Sequence, residues 1–137
     1  MSTVRKIDHV AVAVRDVDEA VARFRQLFGV EPVARELVAS QHTEAVLLPI
    51  GESHIELIAP RGNAGLERFL DKRGPGLHHI AIEVRGLVGV LAALRALGVQ
   101  LIDETPRVGA RGHHVAFLHP GAAGGVLIEL VEPAPEP

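Results

Sequence analysis

The sequence contains no cysteine, no tryptophan and no tyrosine, and its aromatic content is only 3%. Without cysteine there is no disulfide framework and no thiolate zinc site, so any bound metal must be held by nitrogen and oxygen donors. That fits a reducing compartment. So few aromatic rings offer little for stacking bases, and a formal net charge of −3 with both signs interspersed gives no broad basic surface. Nucleic acid is therefore not an expected partner. A long apolar run is missing too: Met1 to Lys6 lead straight into a short alternating segment rather than a signal peptide or a membrane span. A soluble, cytoplasmic protein is expected. There is no low-complexity segment, and the proline-rich tail Pro133 to Pro137 is expected to fray.

What the chain does have is a repeat. With 137 residues and 47% hydrophobic content it is expected to form one domain, because neither half alone would bury enough apolar surface. The run Ile7 to Asp16 lies over Leu77 to Gly86, registering His9 on His79 with an offset of 70 residues. Each of these strand patterns leads into a helical one. Val17, Ala20, Val21, Phe24 and Phe28 recur at helical spacing, as do Leu87, Val90, Leu91, Leu94 and Leu97. Gly29 and Gly98 mark matching helix ends, since glycine takes the left-handed conformation that terminates a helix. Asp16, three residues before Glu19, reads as a capping box for the first helix.

Further strands follow each helix. Glu44 to Pro49 matches His114 to His119, and the closing strands Ser53 to Pro60 and Gly125 to Pro133 register Glu56 on Glu129. Each half is then βαβββ. The expected class is α+β, two tandem modules (about 5–62 and 77–133) forming a curved mixed sheet, with a connecting helix and turn at about 63–76. The helix is expected from Gly65 to Arg73, and Gly74-Pro75-Gly76 forms the break.

A histidine in the first strand and a glutamate in the last strand of both halves suggest one purpose. If a pseudo-twofold axis relates the halves, equivalent residues converge on it, bringing His9, Glu56, His79 and Glu129 into one metal-centred cleft. Two carboxylates balance a 2+ ion, two neutral imidazoles supply borderline donors, and an octahedral ion keeps two positions for water or a bidentate ligand. The cofactor expected is one divalent ion: cobalt, manganese, nickel, zinc or iron. Taken singly, such a histidine or glutamate is more often a hydrogen-bonded structural residue. The symmetric register argues otherwise. Ile55 and Leu57 flank Glu56, and Ile128 and Leu130 flank Glu129, so strand alternation turns both carboxylates to the face opposite their apolar neighbours. His54 shares the face of Glu56, His78 is flipped away from His79, and Ala11 and Ala13 leave space on the face of His9.

These residues resemble the vicinal oxygen chelate (glyoxalase/bleomycin-resistance/dioxygenase) superfamily over almost the whole chain, from Ile7 to about Glu132. Within it they are similar to the methylmalonyl-CoA epimerase family, through Ile7-Asp8-His9, Gly76 to Ala81, Gly98 to Arg107, and above all Phe117-Leu118-His119-Pro120 with Gly125 to Leu130. The resemblance implies interconversion of (2R)- and (2S)-methylmalonyl-CoA through a metal-stabilised enolate, by an enzyme acting on an acyl-CoA and forming a homodimer. It also implies Glu44 and Glu129 as the acid–base pair flanking the substrate. Glu129 is then ligand and base together, and His114, the repeat counterpart of Glu44, is a weaker candidate. For Glu44 the structural alternative is a rim carboxylate in water. One departure stands out: where the family has a lysine after Phe-Leu-His-Pro, this chain has Gly121, Ala122 and Ala123, leaving Lys72, Arg73, Arg107 or Arg111 as substitutes for a coenzyme A phosphate contact. The ligand pattern alone also fits a glyoxalase I-type lyase acting on a glutathione hemithioacetal. A metal-free binding or resistance protein on the same scaffold is the alternative from another class, and a dioxygenase with two histidines and one carboxylate is a third rival.

Overall fold

A computed structural model describes residues 3–135. The fold is α+β, and its elements run β1 (Val4–Ala13), α1 (Val17–Phe28), β2 (Ala34–Val38), β3 (Thr43–Ile50), β4 (Ser53–Pro60), α2 (Ala64–Arg73), β5 (Gly76–Val84), α3 (Leu87–Ala96), β6 (Arg107–Val108), β7 (His114–Phe117) and β8 (Ile128–Glu132). The strands hydrogen-bond in the order β2-β3-β4-β1-β5-β8-β7-β6. The chain divides into two compact units, one His9–His78 and the other residues 1–8 with 79–137. This boundary differs from the repeat boundary, because the start of β1 belongs with the second unit. There the Arg85 N–H donates to the Thr3 carbonyl at 3.0 Å.

In the unit His9–His78, β1 pairs parallel with β4, β4 antiparallel with β3, and β3 antiparallel with β2. Helix α1 covers one side of this sheet. Val17, Ala20 and Val21 pack with Val46, Leu48, Leu57 and Ala59, all buried. The helix starts where the sequence marks it, with the Asp16 carboxylate accepting from the Glu19 N–H at 3.1 Å. It stops at Gly29, whose φ of 67° is left-handed. Helix α2 begins at Asn63, whose Oδ1 accepts from the Leu66 N–H at 2.9 Å.

The second unit repeats the pairing, with β5 parallel to β8, β8 antiparallel to β7, and β7 antiparallel to β6. Leu87 and Leu91 of α3 pack on Val84, Ala116 and Leu130. Its helix start is made differently. Gly86 has no side chain to cap with, and the Glu132 carboxylate of β8 accepts from the Gly86 N–H at 2.7 Å and from the Leu87 N–H at 3.0 Å. The edge strand is also cut short. β6 covers two residues where β2 covers five, because Pro106 lacks a ladder donor and leaves only an isolated bridge between Leu101 and Leu118 before it.

Within the proline-rich tail, the Ala134 N–H donates to His113 Nδ1 at 2.7 Å. Glu136 and Pro137, like Met1 and Ser2, lie outside the described residues. Among the described residues no helix is long and apolar enough to cross a membrane.

Candidate functional site

Register places the repeated histidines and glutamates. Residues paired across two strands share a face of the sheet. Ala11 pairs with Glu56 and His9 with His54, so His9, Ala11, His54 and Glu56 lie on one face. Ala81 pairs with Glu129, which puts His79, two residues earlier on β5, on the same face as that carboxylate. In each unit, then, the glutamate stands across from an alanine whose small side chain leaves the diagonal to the histidine open. His79 Nε2 lies 3.1 Å from Glu129 Oε1. His9 Nε2 lies 3.7 Å from Glu56 Oε1.

All four side chains are buried, with 4%, 6%, 7% and 4% of His9, Glu56, His79 and Glu129 exposed. Buried carboxylates are paired or coordinate metals, because the desolvation cost is otherwise several kcal/mol, on the order of that for any buried ion. Imidazole nitrogen beside carboxylate oxygen is also what a divalent first-row ion selects. The histidine–glutamate pair of each unit therefore offers buried donors of the type such an ion selects. On the opposite face the expected apolar neighbours are in place: Leu57 and Ile55 pack in the α1 core, Leu130 and Ile128 in the α3 core.

The structure does not bring Glu44 into that company. Glu44 pairs with Ala59, a member of the α1 core, and so lies on the helix-covered face of β3, three residues out of phase with Leu47, the partner of Glu56. It is buried, not a rim group in water. Arg35 Nε donates to its Oε2 at 2.7 Å, while the Arg61 guanidinium bonds its Oε1. Arg35 also bonds Asp18 of α1 at 2.6 Å. His114 behaves alike. It precedes Val115, the register partner of Val131, and is exposed on the face away from Glu129.

The remaining candidates separate. His78 meets the Phe69 ring edge-on at 4.9 Å, a packing role. Arg111 bonds the buried Asp8 at 3.1 Å, and the Arg73 guanidinium lies 5.5 Å over Phe69. Gly121 donates its N–H to His119 Nδ1 at 3.0 Å. A Cβ there would lie 3.1 Å from the same nitrogen, so the glycine suits this tight turn. Sequence reasoning missed Phe117 as a site residue: it pairs with Glu129, and its ring meets that of His79 edge-on at 5.1 Å. The repeat gave no signal for it, since the matching position in the first half is aliphatic.

This geometry has close relatives. The sequence pattern of the Glyoxalase/Bleomycin resistance protein/Dioxygenase superfamily matches residues 8–117. The chain belongs to that superfamily. Its relatives include a mitochondrial methylmalonyl-CoA epimerase of Dictyostelium discoideum, 36% identical over 93% of this chain and 78% of that one. The crystal structure of methylmalonyl-CoA epimerase from Mycobacterium tuberculosis superposes with a TM-score of 0.93 at 41% identity, covering 98% of this chain and 92% of that one. A variant of the Streptomyces coelicolor methylmalonyl-CoA epimerase in complex with 2-nitronate-propionyl-CoA gives 0.91 at 33% identity, over 96% of each chain.

Proposed function

We propose that this superfamily member is a metal-dependent epimerase interconverting (2R)- and (2S)-methylmalonyl-CoA. The observation that carries the reading is likeness to such epimerases over nearly the full chain, combined with an intact histidine–glutamate pair in each repeat. His9, His79 and Glu129 are a set that could hold one divalent ion, and we assign Glu56 as the fourth donor. Cobalt, manganese, nickel, zinc and iron are all compatible with two imidazoles and two carboxylates. When bound, such an ion supplies Lewis-acid stabilisation of the negative charge that develops on oxygen as an α-proton leaves a thioester.

The chain's own residues supply the rest. Glu129 holds one carboxylate oxygen against His79 and has a second with which to take or return a proton at the α-carbon, provided that atom comes within hydrogen-bond reach. Ala11 and Ala81 keep the neighbouring positions small, and burial of the carboxylates excludes water that would otherwise protonate the planar carbanion. His54 is a further titratable side chain on the face of His9 and Glu56. Glu44, held by two guanidiniums on the helix-covered face, acts through the framework. The reading takes the enzyme to be a cytoplasmic homodimer, the assembly being open to sedimentation analysis.

The test is hydrogen–deuterium exchange at the α-carbon of methylmalonyl-CoA, with and without added divalent metal. Metal-dependent exchange is expected. Absence of exchange together with turnover of a glutathione hemithioacetal would assign the chain to the lyases of the superfamily instead.

A further inference from the structure

The face of β5, β8, β7 and β6 that carries His79 and Glu129 also carries one guanidinium. Arg107 pairs with Val115, Val115 with Val131, and Phe117 with Glu129, so Arg107, Val115, Phe117 and Glu129 share this face. Among the described strand positions there, Arg107 is the one lysine or arginine. Its guanidinium lies 5.8 Å over the Phe117 ring, the same ring that meets His79 at 5.1 Å. Asp103 forms an ion pair with it, Oδ1 lying 3.6 Å from Arg107 Nε while Oδ2 accepts from the Phe117 N–H at 2.8 Å. The ring contact and the carboxylate near Nε restrain the guanidinium, and a guanidinium fork binds a carboxylate through two parallel N–H groups.

Resting on the epimerase reading above, we propose that Arg107 is the specificity residue of the acyl site, recognising the free carboxylate that distinguishes a malonyl-type thioester from an uncharged acyl-CoA. An anionic substrate approaching Glu129 meets like charge, and Arg107 is the group on this face that reverses it. The pyrophosphate and the 3′-phosphate of coenzyme A are the competing anions, and the experiment separates them.

Methylmalonyl-CoA, propionyl-CoA and free coenzyme A are titrated calorimetrically into wild type, Arg107→Met and Arg107→Lys, each metal-free and metal-loaded. Methionine keeps an unbranched stem against Phe117 without charge, and lysine keeps the charge without the fork. Arg107→Met is expected to weaken methylmalonyl-CoA at least about tenfold while leaving the other two within about twofold, with Arg107→Lys between. Equal weakening of all three ligands would transfer Arg107 to the coenzyme A phosphates and overturn the proposal, as would unchanged binding by an Arg107→Met protein whose circular dichroism matches wild type. If wild type binds methylmalonyl-CoA no better than free coenzyme A and exchanges no α-proton, the epimerase reading itself falls, and this assignment with it.

Discussion

Glu44 stands directly across from Ala59, and that one pairing sets its carboxylate on the α1 side of β3, away from the face that carries Glu56. Sequence similarity makes Glu44 a proton-transfer candidate, whereas geometry makes it the centre of a charge cluster with Arg35 and Arg61. The two roles have different consequences.

Glu44→Gln is expected to destabilise the fold by about 1–3 kcal/mol, the cost of weakening the charge-assisted hydrogen bonds made by a buried carboxylate. Urea unfolding measures it. In the folded variant, metal affinity and α-proton exchange should stay within several-fold of wild type. A loss of exchange of a hundredfold or more, at unchanged stability and metal content, would return Glu44 to the chemistry.

Glu129→Gln and His79→Ala should separate ligation from proton transfer. His79→Ala removes a donor, so weaker metal binding is expected, by about tenfold or more. Glu129→Gln keeps a ligand oxygen but no base, and exchange should fall more steeply than metal affinity. Isothermal titration with the metal alone, beside the exchange assay, reads both; parallel losses in the two variants would mean that Glu129 is a ligand only.

Chelation should cost stability as well as activity. An ion that binds only the folded chain adds about 2.7 kcal/mol at a hundredfold excess over its Kd. A thermal midpoint that rises with added divalent metal in wild type, and does not rise in His9→Ala, is the expected pattern. Equal midpoints with and without metal in wild type would count against the four-donor assignment.

The two repeat helices should respond to different cap mutations. Asp16→Ala removes the local cap of α1, and Glu132→Ala removes the distant cap of α3; each is expected to cost about 1 kcal/mol in urea denaturation. A neutral Glu132→Ala would show that the Gly86 and Leu87 amides are satisfied equally well by water.

Acid should weaken two surface ion pairs. The Arg35 hydrogen bond and charge hold Asp18 below the usual carboxylate range, and the Arg25 hydrogen bond does the same for Glu31. Because the folded values are depressed, the unfolded chain takes up protons first as pH falls. The contribution is therefore present above about pH 4, the ordinary carboxylate value, and is lost as pH drops through the folded values. Both groups are exposed, so the effect is small and screened by salt. Comparing wild type with Asp18→Asn and Glu31→Gln at pH 7 and at successively lower pH should show a stability gap at the higher pH that narrows as the solution is acidified.

By itself the sequence determined the repeat, the α+β class, the helix end at Gly29, the Asp16 cap and the turning of Glu56 and Glu129 away from their apolar strand neighbours. All of these are local: they depend on turn chemistry, on glycine backbone freedom and on the two-residue period of a strand, which act between near neighbours. Tertiary structure alone decided which way Glu44 and His114 face relative to the glutamates, since that follows from inter-strand register and not from spacing along one strand. It also decided that Glu132, 45 residues from Leu87, would cap α3, and that Phe117 would stand between His79 and Arg107. The repetition of histidine and glutamate is thus legible in the sequence, while their pairing and the groups that surround them depend on contacts between residues far apart in the chain.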